Sequence, residues 1–434
     1  MEGKEPVTPV GRLFVQEEMY HVVNCVMVVK NPINIESIKT EIKNSLLIQH
    51  PRFQSVLVRN NNGREYWKRT QNVNLDDHIF LVQDVKYPPN SGDEEIVNGY
   101  LADLAVSSPL SADKPLWELH VLKDQNALVW RIHHALGDGV SLMSLILAMC
   151  RKLDQPDQLP TIPNFVYAVE LLLTCLCSKR EAKTSISGGS GVELWPRKLA
   201  TARFKIDDMK SVKNAVPNAT INDVLFGVIA AGLSRYLDYH QLSDSKPLEG
   251  LRITGLGMVN LRKQPGIQNM SSLVKSKSLS SSWGNKFGFI LLPICHHKNV
   301  DDNPIQYVKR AKAMLDKKKL SLEAYFSYAI TSLAMSLLGP KAAALLTYRI
   351  ICNTSFMISN VVGPQEEIMF GGNPITAFSV SSSSLPHALT LHMLSYAGKA
   401  KLQILVAKDI IPDPQFLAKC FEDALFDMKD ASTD

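Results

Sequence analysis

Residues 129–145 read V-W-R-I-H-H-A-L-G-D-G-V-S-L-M-S-L. An apolar strand pattern enters this stretch and an apolar helix pattern leaves it. His133, His134 and Asp138 stand at the junction, with Gly137 and Gly139 on either side of the aspartate. The helix that follows is apolar nearly all round, from Val140 and Leu142 to Ile146 and Met149, and such a helix has to be buried between a sheet and another layer. Polar groups at a strand-to-helix junction are held by regular structure on both sides, so an imidazole there is aimed at something rather than lost to solvent. The stretch is expected to be an active-site loop.

The rest of the chain has room to build around it. At 434 residues it exceeds what one core usually serves, so two domains are expected. Hydrophobic residues make up 45% and charged ones 21%, the balance of a folding protein and not of a disordered one. The cysteines number seven and are scattered, mostly in apolar context, which points to reduced thiols in a cytosol-facing protein. Residues 1–10 carry Glu2, Lys4, Glu5 and two prolines and do not make a secretory signal. A net charge of +5 is mild: enough for weak attraction to anionic lipid or to a phosphorylated cosubstrate, with no nucleic-acid footprint.

In the first half, strand and helix patterns alternate. Residues 21–30 are β-rich, and Asn34 caps a helix with Ile35, Ile38, Ile42 and Leu46 at helical spacing before Pro51 stops it. Residues 53–59 and 64–68 flank an Asn-Asn-Asn-Gly turn and predict a hairpin. A helix is expected over 93–106, then a second hairpin over 115–123 and 127–132 whose second strand delivers the two histidines. Prolines 156, 160 and 163 mark a boundary. Beyond them, 165–177 is apolar apart from Glu170, and 185–191 resembles a flexible linker. The apolar run, about thirteen residues, is short of the roughly 20 a membrane span needs. A packed helix and an interfacial segment dipping into lipid, helped by Lys179-Arg180, both remain open for it. In the second half Thr220 caps a long helix, residues 250–260 and 287–293 read as strands, and helices fill 304–349 with a break at Gly339-Pro340. Strands over 377–380, 388–396 and 401–406 and an amphipathic helix from Pro412 close the second domain.

A histidine with an ordinary pKa near 6.5 can take a proton from an alcohol or thiol at neutral pH. Neighbouring histidines on extended backbone project in different directions, so one reaches the substrate and the other fills a structural place. Two roles are open to Asp138: a plain helix cap, or a brace paired with an arginine in a turn that Gly137 and Gly139 permit. No G-x-S-x-G elbow is evident, which leaves direct transfer between two bound substrates as the simpler scheme. Adjacent histidines with one aspartate do not make a zinc motif, and His296-His297 is an isolated pair, so no metal is expected.

His133-His134-Ala135-Leu136-Gly137-Asp138-Gly139 resembles the His-His-x-x-x-Asp-Gly motif of the CoA-dependent acyltransferase superfamily. Further stretches narrow the resemblance to the plant-type wax ester synthase/diacylglycerol acyltransferase family. They are Pro115-Leu116-Trp117-Glu118-Leu119-His120, Asn222-Asp223-Val224, Asn260-Leu261-Arg262, Trp283-Gly284-Asn285 with Phe287-Gly288-Phe289, and Ser359-Asn360-Val361-Val362-Gly363-Pro364. The Asp-Phe-Gly-Trp-Gly signature of the secondary-metabolism branch is missing, and the chain opens on Thr8-Pro9 where the family has Ser-Pro.

The resemblance implies an α/β protein of two chloramphenicol-acetyltransferase-like domains, each a mixed sheet flanked by helices, with the active site in a tunnel between them. Residues 1–160 would be the N-terminal domain, 161–199 the crossover and 200–434 the C-terminal domain. It implies an acyl-CoA-dependent O-acyltransferase that makes wax esters from fatty alcohols, triacylglycerol from diacylglycerol, or both. Acyl-CoA would be a cosubstrate, with no further cofactor. His134 would be the general base, His133 its support, Asp138 the loop-structuring residue, and Gly139 would keep the approach open. Asn222 and Asp223 match a second family motif, with an interface or a catalytic role open; by composition alone they are a helix start. Association with a membrane surface is expected, motivated by the apolar stretches 165–177 and 333–346, at the cytosolic face of the endoplasmic reticulum or at the plasma membrane. Two other readings stay open: a non-catalytic acyl-CoA or lipid carrier on the same fold, and a soluble acyltransferase with another alcohol or amine acceptor.

Overall fold

The computed structural model describes residues 4–432 of the protein, apart from 84, 86, 89, 162–183, 241–250, 262–282 and 298–302. The apolar run at 165–177, the Lys179-Arg180 pair, Arg262 and the serine-rich stretch before Trp283 lie outside the described residues.

Two mixed sheets organise the chain. The first has seven strands in the order β5 (Ile79–Val82), β6 (Trp117–Leu122), β7 (Ala127–His133), β2 (Val22–Val29), β14 (Asn373–Ser382), β13 (Ile368–Phe370) and β8 (Cys150–Lys152). The second has six, in the order β11 (Phe287–Cys295), β10 (Arg252–Asn260), β12 (Phe356–Val362), β15 (Leu389–Tyr396), β16 (Lys399–Ala407) and β9 (Arg197–Lys205). A small third sheet joins β1 (Lys4–Pro6), β4 (Glu65–Arg69) and β3 (Ser55–Arg59). The hairpins expected over 53–68 and 115–132 are β3–β4 and β6–β7, each antiparallel in register.

One strand expected to close the second domain is placed elsewhere. Residues 377–380 form part of β14, which runs antiparallel to β2 and completes the first sheet. Its apolar pattern identifies a strand, but pattern carries no label for the sheet that will receive it. A second difference falls at Ser45, which ends α2 (Ile35–Asn44) in extended conformation before the short α3 (Leu46–Gln49). Its hydroxyl donates to the Ile42 carbonyl at 2.7 Å, a local bond that competes with the helix ladder.

Every residue of β6 and β7 is buried, so the polar members of these strands must find partners inside. Glu118 on β6 accepts from Arg131 of β7 at 2.9 Å and lies 3.2 Å from His120 Nε2, while the Tyr100 hydroxyl on α4 (Asp93–Ser107) bonds His120 Nδ1 at 2.6 Å. Burial pushes the Glu118 carboxyl up, but the hydrogen bond from His120 and the charges of Arg131 and Lys114 pull it down to about 2. The opposite face of β6, with Trp117, Leu119 and Val121, enters the main apolar core of the first lobe.

In the second lobe α7 (Ile221–His240) packs with α8 (Ile305–Lys319) and α11 (Pro414–Asp430) against the six-stranded sheet. Two further helices follow α8: α9 (Glu323–Leu337) and α10 (Gly339–Ile351), separated at the expected Gly339-Pro340 break, where Gly339 has a φ of +81°. They lie over α1 (Pro9–Phe14) and share with it an apolar cluster containing Leu13, Phe14, Phe287, Met335, Ala344 and Ile351. Among the described residues no helix is long and apolar enough to cross a membrane.

Candidate active site

The loop that opened the sequence reading leaves β7 at His133 and ends at Asp138, the N-cap of α5 (Gly139–Ala148). Asp138 Oδ1 accepts from the Ser141 amide at 3.1 Å, satisfying one of the orphan N–H groups at the helix start. Its second oxygen accepts from the Lys286 amide at 3.0 Å. One carboxylate therefore caps the helix and also ties it to the second lobe's β11 entry.

That second bond is one of several. The run Trp283-Gly284-Asn285-Lys286 lies along the loop and pairs with it residue by residue: Trp283 Nε1 donates to the Leu136 carbonyl at 2.8 Å, and the Ser141 hydroxyl donates to the Gly284 carbonyl at 3.4 Å. Asn285 Nδ2 donates to the His134 carbonyl at 2.9 Å, and Lys286 bonds Asp138 as described. Gly137 belongs to this clamp, because a Cβ there would stand 3.0 Å from Ser141 and 3.5 Å from the Trp283 ring. Neither Gly137 nor Gly139 has a positive φ. At Gly137 the turn needs a small residue, and at neither position does it need a left-handed backbone. At Gly139 a side chain would meet Val361 of β12 at 3.8 Å, an ordinary contact.

His134 is 4% exposed. Its Nδ1 faces Asn285 Oδ1 at 3.1 Å. Because the amide nitrogen of Asn285 is committed to the His134 carbonyl, the oxygen is the end presented to the ring, so Nδ1 carries the proton and Nε2 keeps its lone pair. Burial lowers the pKa of His134 below the ordinary 6.5, opposed by the Asp138 charge and the Asn285 hydrogen bond. The ring is walled by Phe14 at 4.5 Å and by Phe287, edge-on, at 5.7 Å between centroids.

Three other imidazoles surround it. His133 Nδ1 accepts from the Ala135 amide at 3.0 Å and its ring meets Tyr20 edge-on, while burial drives its pKa down to about 3. His21, whose carbonyl accepts from the His134 amide at 2.8 Å, has its ring 5.4 Å from that of His134 and is held far below the ordinary value by burial. His392 on β15 of the second lobe is held at about 4, by burial and then by His134. All four are neutral at pH 7. Only for His134 in this group does a carboxylate rank first among the influences opposing burial. Among the described residues no three His, Cys, Asp or Glu side chains are grouped so as to hold a metal ion.

The second motif lies at the start of α7. Asp223 is fully buried and accepts from the Thr220 amide at 2.6 Å and hydroxyl at 2.8 Å, while its own amide donates back to the Thr220 hydroxyl at 3.3 Å. This is a reciprocal capping box. Asn222 accepts from Asn360 Nδ2 at 2.7 Å. The next residue of β12, Val361, is the neighbour of Gly139, so β12 links the two motifs.

The sequence reading gave roles to His133, His134, Asp138 and Gly139, and the structure brings these together. Trp283, Asn285 and Phe287 stand in the family-like stretches with no role expected of them, and no role was expected of His21, His392 or Phe14. For the aromatic and imidazole neighbours no local pattern marks the role. Each is one residue in apolar context, Phe14 on a short helix, Phe287 and His392 on strands and His21 just before β2, brought in by the tertiary fold.

Two helix-covered mixed sheets with a buried His-His-x-x-x-Asp-Gly loop clamped between them define the two-domain fold of the CoA-dependent acyltransferases. Solved structures agree on the fold. A wax ester synthase/diacylglycerol acyltransferase from Marinobacter aquaeolei VT8 superposes with a TM-score of 0.63 over 99% of this chain and 100% of that one, at 16% identity. The TRI3 trichothecene 15-O-acetyltransferase from Fusarium sporotrichioides gives 0.60 over 98% and 95%, at 10% identity. Within that class, the model of the wax ester synthase/diacylglycerol acyltransferase catalytic domain matches residues 16–185 and that of the WS/DGAT C-terminal domain matches 283–429. Wax ester synthase/diacylglycerol acyltransferase 11 of Arabidopsis thaliana is 37% identical over 95% of this chain and 92% of its own length, and number 2 of the same plant is 36% identical over 99% and 96%. The chain belongs to the wax ester synthase/diacylglycerol acyltransferase family.

Proposed function

We propose that the protein moves a fatty acyl group from acyl-CoA to the hydroxyl of a long-chain alcohol or a diacylglycerol, with His134 as general base. The observation that carries this reading is the Asn285 contact, which leaves Nε2 of the buried His134 as a lone-pair acceptor. Nε2 takes the hydroxyl proton as the oxygen attacks the thioester carbonyl. The tetrahedral intermediate collapses with cleavage of the C–S bond, and the departing thiolate recovers the proton from the imidazolium. The products are an ester and free CoA, with His134 neutral again. Transfer is direct between the two bound substrates.

In this scheme His133 supports the backbone at Ala135, and Asp138 fixes the helix start and offsets the burial of the base. Its charge also stabilises the imidazolium formed during attack. Asn222 acts through β12 and Asp223 through the cap of α7, both as structural residues. Acceptors of this kind reside in bilayers, so the protein works at a membrane surface, at the cytosolic face of the endoplasmic reticulum or at the plasma membrane.

Release of CoA thiol from acyl-CoA in the presence of hexadecanol or of diacylglycerol tests the reading. His134→Ala should lower the rate by roughly 10²- to 10⁴-fold with the thermal transition retained. Turnover by that variant equal to the parent's would remove His134 as base, and acyl-CoA binding by the parent without thiol release would make the protein a carrier.

A further inference from the structure

Helices α9 and α10 bury little of themselves. Only Ala324 and Met335 of α9, and Ala343, Ala344 and Ile351 of α10, are buried. Outward they present Phe326, Leu333, Leu337, Leu338, Leu345 and Leu346, at 45, 57, 73, 58, 39 and 45% exposure. Phe326, Leu333 and Leu337 follow the helical repeat and make one stripe along α9, and Leu345 and Leu346 continue the apolar surface on α10. A continuous apolar face of this kind on a folded chain marks a contact surface.

Charge selects the occupant. Residues 324–351 contain no aspartate or glutamate, and the basic residues among them, Lys341 and Arg349, are both exposed. Lys317, also exposed, stands just before α9, where Lys318 and Lys319 are paired with Glu323 and Asp316. An apolar face with a basic rim matches the acyl region and anionic headgroups of a bilayer. A second copy of the chain meeting this face about a two-fold axis would bring like charges together. The inner face matters as well. It packs on α1 and on the cluster that holds Phe14 and Phe287, the two rings against His134.

From the exposed apolar face, its basic rim and its backing by the residues that wall His134, we infer that α9 and α10 form a membrane-docking hairpin, lying in the headgroup plane of an anionic bilayer directly outside the active-site wall. The hairpin seats the protein where its apolar acceptor is dissolved. The inference rests on the lipid-substrate reading above.

Flotation with phosphatidylcholine vesicles containing about 30% phosphatidylserine tests it apart from turnover. The parent chain should float with the vesicles, and Leu333→Glu combined with Leu337→Glu should cut the floated fraction about tenfold. Thiol release toward a water-soluble short-chain alcohol should be unchanged in that variant, so a failure of docking and a failure of the transferase reading give different results. Leu337→Trp supplies a gain of signal: its emission should shift to the blue on adding vesicles. A parent chain that stays at the bottom, a glutamate variant that floats like the parent, or a tryptophan whose emission is unmoved overturns the proposal. So does a parent dimer that the glutamate substitutions split with flotation unaffected, which would assign the face to contact between copies.

Discussion

A buried imidazole is easy to keep neutral and costly to protonate, and a general base has to do both within one turnover. At His134 burial lowers the pKa, while Asp138 and Asn285 raise it part of the way back. With His134 as the proposed base the neutral form is the active one, so activity is full above the lowered pKa and falls as the pH drops through it. The acid limb of kcat/KM therefore belongs below 6.5. Asn285→Leu removes an influence that raises this pKa, so the acid limb should move to still lower pH. The ring also loses the partner that fixes its tautomer, and kcat should fall by roughly 10-fold or more with KM for acyl-CoA little changed. A pH profile of thiol release across that variant checks both effects; an unmoved limb would count against the contact. This positioning residue stands 151 positions from the base it serves, and an asparagine beside a glycine looks like a turn signal from sequence alone. The motif histidines were legible because a polar pair at an apolar junction is locally anomalous. Their partners were not, because nothing local is unusual about them.

At the scale of elements, the helix starts were largely legible because caps are local chemistry. Asn34 accepts from Ser37, and Thr220 and Asp223 cap each other, whereas the start of α1, where Thr8 Oγ1 accepts from Gly11 and Pro9 opens the helix, was not expected. Thr8-Pro9 thus supplies a capping hydroxyl as a Ser-Pro opening would. What capping cannot reveal is how closely two elements approach. Gly288 on β11 is such a place: a Cβ there would overlap the Ala324 carbonyl in the first turn of α9. Gly288→Ala should push α9 off the sheet and cost about 1–3 kcal/mol, read as a lower denaturation midpoint at unchanged slope. A variant with the parent's midpoint would show that α9 yields without strain.

Across the whole molecule, the α/β class and most strands could be read from periodicity, whereas the partnership between distant strands could not. The first sheet takes β14 from beyond residue 370 as the neighbour of β2, and the Val22 amide reaches the Ser383 hydroxyl at 2.8 Å across 361 positions of sequence. That exchange has a consequence for biosynthesis. At roughly 5–20 residues per second, the free edge of β2 waits on the order of 20–70 s on the ribosome before its partner is made. During that interval the apolar run Val22–Val29 is an uncovered strand edge, the kind of surface on which chains aggregate. Nascent chains should therefore need chaperone cover late into synthesis, and a fragment ending at residue 161 should collect in the insoluble fraction when expressed alone. A soluble, monomeric fragment would mean that the edge is protected from within the first half.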